Sequence, residues 1–192
     1  VGTDALVPTR PGEYWAAGRT IEGKPYGISW RRPATGDRTP PGLDAETSAP
    51  AEQVMLDSNA EAEGHDYFAL GVFAISPDSQ LLGWAADTDG SEVYTLRFRD
   101  LATGKDLPDL VERVTYGAAW ASDNRTVFYT RQDEAMRPYQ LWRHSHGTPA
   151  ADEVHFHTQT AEALLLPAER TTNDQLLPLD YGTQAKSQLH LL

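Results

Sequence analysis

Cysteine is absent from all 192 residues. Disulfides, thiolate metal centres and cysteine nucleophiles are therefore excluded. The absence suits a reducing compartment, and a cytoplasmic location is expected. No apolar run approaches the ~20 residues of a membrane-spanning helix. The start, Val1-Gly2-Thr3-Asp4, lacks a basic region followed by an apolar stretch, so no signal peptide is visible. Basic residues are outnumbered, with 16 Lys and Arg against 28 Asp and Glu and a net charge of −12. That balance speaks against nucleic acid and against an anionic membrane surface as partners, since both need a basic face. Helical periodicity is nearly missing. Hydrophobic residues still make up 40% of the chain, enough for a real core.

What is present is a series of short β-branched, aromatic and aliphatic runs separated by turn chemistry. Tyr14–Ala17 and Tyr26–Trp30 flank Glu22-Gly23-Lys24 and read as a hairpin. Residues 1–12 read as a linker and 33–50, rich in Pro, Gly, Thr and Asp, as a loop. Val54-Met55-Leu56 reads as a strand, followed by a helical turn over Asp57–Gly64 capped by Asp57 or Ser58. Then a repeat begins. Ser76-Pro77-Asp78-Ser79 separates Phe73-Ala74-Ile75 from Leu81–Ala85, and Asp89-Gly90 leads into Val93–Phe98. That unit closes at Asp100–Lys105. Ala121-Ser122-Asp123-Asn124 repeats the first turn, and Thr172-Asn173-Asp174 repeats it again. Strands are expected at 126–129, 139–143, 176–179 and 188–192.

A period of roughly 45–50 residues with about four strands per unit is the signature of propeller blades. A blade buries both faces only by stacking on neighbours. The expected fold is all-β: residues 13–192 as a partial propeller of about three to four blades. The competing architecture, a β-sandwich, predicts similar strands without the repeated turn. The chain starts without Met and stops at Leu191-Leu192 inside an expected strand, so a segment of a longer protein is expected.

Four stretches carry a resemblance. They are Arg19–Tyr26 with Arg31-Arg32, Leu56–Gly71, Ser76–Arg97, and Tyr129–His144. In order and spacing they resemble the oligopeptidase B branch of the prolyl oligopeptidase family of serine peptidases, over residues 13–157. The resemblance implies a seven-bladed propeller capping an α/β-hydrolase domain that carries a Ser-Asp-His triad. It implies cleavage of short peptides after Lys or Arg, with the propeller as size filter and gate. The implied partners are a peptide substrate and that hydrolase domain, and no cofactor is implied. A nucleophile elbow needs Gly-x-Ser-x-Gly. No serine here has that setting, so no catalytic residue is assigned within these residues. The second class of function is a stand-alone, non-catalytic propeller-like interaction module.

Several residues merit a chemical reading. Glu92, Asp133, Glu134 and Arg137 sit beside hairpins in the resembling stretches. The family's gate depends partly on salt bridges between the two domains, so these four are the candidate gate residues; solvated turn charges are the alternative. His144, His146, His155 and His157 would converge if their segments pair around Gly147-Thr148-Pro149, an arrangement that suits zinc; solvent-facing histidines on outer strands are the expectation, and no metal is assigned. Asp87–Glu92 is half the length of a calcium loop and reads as a hairpin turn. Asn124-Arg125-Thr126 has the form of a glycosylation acceptor and reads as a turn. Trp15, Trp30, Trp84, Trp120 and Trp142 read as wedges between blades.

Overall fold

A computed structural model describes residues 13–34, 52–149 and 152–158, and the backbone of two further strands at 178–182 and 187–191. It contains three antiparallel sheets in chain order. The first comprises β1 (Tyr14–Thr20), β2 (Gly27–Pro33) and β3 (Gln53–Asp57). A short helix, α1 (Ser58–Glu61), follows; the Asp57 carboxylate caps it by accepting the Asn59 N–H at 2.9 Å. The second sheet runs β4 (Ala69–Ile75), β5 (Leu81–Asp87), β6 (Tyr94–Asp100), β7 (Lys105–Val114). The third runs β8 (Ala118–Trp120), β9 (Thr126–Gln132), β10 (Pro138–Ser145), β11 (Val154–Thr158). A separate hairpin joins β12 (Pro178–Gly182) to β13 (Ser187–Leu191). The expected linker at 1–12, loop residues 35–50 and the Thr172-Asn173-Asp174 turn lie outside the described residues.

Strand β5 shows why the sheets stack. Its residues from Leu82 to Asp87 are all buried, as a strand covered on both faces requires. Leu82, Trp84 and Ala86 face the first sheet and join Ala16, Met55, Leu56 and Phe68 in one core. Ala85 faces the third sheet, in a core shared by Leu96, Phe98 and Val111 with Trp120, Val127 and Tyr129. Burying each large apolar side chain contributes about 1.5–3 kcal/mol. Gly83 leaves room for the Trp120 indole: a Cβ there would stand 3.4 Å from Nε1. That N–H donates to the Ala74 carbonyl at 2.9 Å. Trp84 and Trp120 are thus wedges between sheets, as the sequence suggests.

Strand β7 has no counterpart in the expected elements, where the unit ends at Lys105. Pro108 and three acidic residues, Asp106, Asp109 and Glu112, obscure it. It occupies the sheet's edge, where proline is tolerated. The pairing shifts between Arg97 and Arg99, the stretch where Pro108 falls, and again between Tyr94 and Leu96. At the second irregularity Arg113 adopts φ +61°.

Candidate functional site

In an antiparallel meander, successive connections lie on alternate edges of the sheet. Applied through the three sheets, this puts 21–26, 58–68, 88–93, 115–117 and 133–137 on one edge. The connections 76–80, 101–104 and 121–125 lie on the other. All four candidate gate residues fall on the first edge, or rim.

Glu92 closes the β5–β6 turn. The buried Asp87 carboxylate organises that turn: Oδ1 accepts the N–H groups of Asp89 and Gly90 at 3.0 and 2.9 Å, and Oδ2 that of Glu92 at 2.8 Å. Bonded in this way, Asp87 serves the turn itself. Glu92 is held at φ +57°, and its side chain is exposed. Its carbonyl accepts from Gln132 Nε2 at 3.3 Å, which places Glu92 beside the β9–β10 loop.

Within that loop, Asp133 Oδ1 accepts the N–H groups of Ala135 and Arg137 at 2.9 and 3.0 Å. Oδ2 accepts Arg137 Nε and Nη2 at 3.0 and 2.7 Å. The Arg137 backbone N–H, followed by its side chain, holds the Asp133 carboxyl below its usual range. Asp133 and Arg137 are therefore bonded to each other. Glu134 is exposed on the same loop.

The rim also gathers apolar side chains that charge patterns do not reveal. Ile21, Tyr67, Val93, Tyr116 and Met136 are exposed there, at 36–50% of their surface. The other exposed large hydrophobics, Val54, Leu70, Phe73, Leu110 and Val154, lie within strands. Among the described residues, no connection on the opposite edge exposes one. The buried Tyr94 opens β6 directly after the 88–93 turn. Burial pushes its phenol up, and Asp87, Glu92, Tyr67 and Tyr116 add to the shift. The signal in the sequence is a large apolar residue within a turn segment, which periodicity does not single out.

His144, His146 and His155 do not converge. β10 and β11 pair as expected, but an irregularity between Leu141 and Trp142 sets His155 opposite Trp142. Its ring lies 5.1 Å from the indole, and Nε2 is 2.7 Å from Thr158 Oγ1. His157's side chain is outside the described residues. His144 and His146 instead turn to Asp109 on β7 of the neighbouring sheet. Its Oδ2 meets His144 Nε2 at 3.4 Å, His146 Nδ1 at 3.0 Å and the Gly147 N–H at 2.6 Å. Burial of Asp109 pushes its carboxyl up. The Gly147 N–H and the two imidazoles outweigh that and hold it below the ordinary carboxylate range. His144 is fully buried and stacks on Phe98, with ring centres 5.6 Å apart. This is a polar link between sheets. Among the described residues no three His, Asp or Glu side chains are arranged to hold a metal ion.

Comparison with known proteins agrees with the stacked sheets. Residues 2–192 match the family described as prolyl oligopeptidase, N-terminal beta-propeller domain. The chain is 32% identical to dipeptidyl aminopeptidase BI of Pseudoxanthomonas mexicana, covering 97% of this chain and 26% of that protein. It is 28% identical to protease 2 of Moraxella lacunata, covering 99% and 27%. Oligopeptidase B from Leishmania major superimposes with a TM-score of 0.84 at 25% identity, over 99% of this chain and 26% of that one. Oligopeptidase B from Trypanosoma brucei, in a closed form with covalently bound antipain, gives 0.81 at 26% identity, over 99% and 25%. The chain thus spans about a quarter of the length of these relatives. Its sheets are blades of a partial propeller, and the chain belongs to the N-terminal β-propeller family of prolyl oligopeptidases.

Proposed function

We propose that the rim bearing Glu92 and the 133–137 loop faces an α/β-hydrolase domain and controls how peptides reach it. The observation that carries this reading is the segregation of exposed apolar side chains. Ile21, Tyr67, Val93, Tyr116 and Met136 share one edge with all four candidate gate residues. Exposed apolar groups gathered on one face mark an interaction surface, and charges at its margin steer and select partners. The parent protein is then a serine oligopeptidase that hydrolyses short peptides after Lys or Arg, and the cysteine-free chain suits the cytoplasm as its place of action.

A specific observation favours a second reading of the substrate. The relative at 32% identity is named a dipeptidyl aminopeptidase. A parent of that kind would release dipeptides from a free N-terminus. One assay separates the two readings: hydrolysis of Arg-ended chromogenic peptides by the full-length protein, with free and with blocked N-termini. Cleavage of blocked peptides, abolished by a serine-directed inhibitor, supports the oligopeptidase. Cleavage confined to free N-termini supports the dipeptidyl aminopeptidase. Failure to cleave either set overturns both.

A further inference from the structure

Charge on the two edges is unequal. The five connecting segments of the rim carry eight Asp and Glu against one Lys and one Arg; the three segments of the opposite edge carry two Asp against one Arg. Two of the rim carboxylates are neutralised within the chain, Glu61 by Arg99 and Asp133 by Arg137, both at 2.7 Å. Glu92 is exposed and has no ion pair among the described residues.

Aromatic side chains meet this carboxylate. Tyr67 and Tyr116 are exposed, and the Tyr94 side chain is more than nine-tenths buried, at 9% exposure. Beyond the effect of burial, Asp87, Glu92, Tyr67 and Tyr116 each push the Tyr94 phenol up, so all four lie near it. The Tyr94 hydroxyl makes no hydrogen bond among the described residues. A buried hydroxyl is seldom left so, because its lost hydration then goes uncompensated. Asp87 is already engaged, since its two oxygens accept three N–H groups of the turn. What fits is a cation that donates hydrogen bonds. An ammonium or guanidinium can give an N–H to the Tyr94 oxygen, face the Glu92 carboxylate and lie on a tyrosine ring. A metal ion would need several carboxylate, carbonyl or imidazole ligands at once, and no three His, Asp or Glu side chains are so gathered among the described residues.

We propose that Tyr67, Glu92, Tyr94 and Tyr116 form a subsite that holds one Lys or Arg side chain of an incoming peptide. The inference rests on the reading of the rim as the side that peptides meet. The surplus of carboxylates along the same edge draws cationic peptides toward it. Glu92 supplies the charge, the two exposed rings cover the stem and head of the basic side chain, and the Tyr94 hydroxyl fixes its depth.

The test photolabels the full-length protein, treated with a serine-directed inhibitor so that the probe stays intact. The probes are two blocked peptides, acetyl-glycyl-lysyl-benzoylphenylalanyl-glycinamide and its twin with norleucine for lysine, which keeps the stem and removes the charge. Mass spectrometry maps the adducts. The expected result is labelling within 58–68, 88–93 or 115–117 by the lysine peptide, several-fold above its twin. Tyr116→Ala should cut that excess about two- to fivefold, the worth of an exposed cation–π contact. Tyr94→Phe removes only the hydroxyl and keeps the ring's packing. It should also lower the excess, and it reports on the subsite should Tyr116→Ala disturb its connection. Equal labelling by the two peptides, adducts confined to other segments, or a loss in the variants that is the same for both peptides overturns the proposal. Hydrolysis by untreated samples reports separately: lysine-dependent labelling without hydrolysis supports the subsite and overturns the peptidase reading.

Discussion

The Oδ1 of Asn124 accepts the backbone N–H of Asp78 at 2.8 Å, so one copy of the repeated turn binds the other across neighbouring sheets. Both turns hold a non-glycine residue in left-handed backbone, Ser79 at φ +60° and Asn124 at φ +58°. Both also use an internal carboxylate. Asp78 accepts from Ser76 Oγ at 2.6 Å, and Asp123 accepts the Thr126 N–H at 2.8 Å. The repeat visible in the sequence is thus a repeat of turn mechanics, which stacks the blades in register.

Replacing Asn124 should expose these two contributions. Asn124→Gly keeps the left-handed turn and loses only the link to Asp78, at a cost of about 0.5–1.5 kcal/mol. Asn124→Ala loses both and should unfold at a lower denaturant concentration than Asn124→Gly. Equal midpoints would mean that the backbone conformation contributes nothing.

Gly71 and Tyr94 are coupled. A Cβ at Gly71 would lie 2.4 Å from Tyr94 Cε1, and the Tyr94 ring is packed in the core between the second and third sheets. Gly71→Ala should destabilise by about 1–3 kcal/mol through overpacking. Combining it with Tyr94→Leu should recover part of that loss, which a double-mutant cycle in denaturant would measure.

Asp109 predicts a pH dependence. Its folded carboxyl is held below the ordinary value. The stabilisation is therefore present above the unfolded pKa and is lost as pH falls through the folded one. Asp109→Asn should destabilise the protein at pH 7. The gap from wild type should shrink below about pH 4, the ordinary carboxylate range. Urea midpoints of both proteins at pH 7 and pH 3 check this; a constant gap would mean that the charge plays no part.

Some features were legible in the sequence because they follow from local chemistry. The hairpin of 14–17 with 26–30, the helix cap at Asp57 or Ser58, the Ser-Pro-Asp-Ser turn and the Asp-Gly turn all depend on residues within a few positions of one another. Others depend on which sheet lies opposite. Strand β7 was hidden because its outward positions are charged and Pro108 interrupts its pairing. The partner of His144 and His146 was hidden because Asp109 lies on another sheet, thirty-five residues from His144. Among the candidate gate residues, the shared edge follows from strand alternation, but the Asp133–Arg137 bond pattern and the apolar rim needed coordinates.

The central claim is that the rim governs peptide access to a catalytic domain. Its most direct measurement is kcat/KM against ionic strength for the full-length protein, wild type and Glu92→Lys, with a short Arg-ended peptide. Exposed ion pairs are worth about 0–1 kcal/mol, enough to shift a balanced open–closed equilibrium by up to about fivefold. The account predicts a several-fold change in kcat/KM that fades as salt is raised. Identical kinetics with identical salt dependence would contradict it.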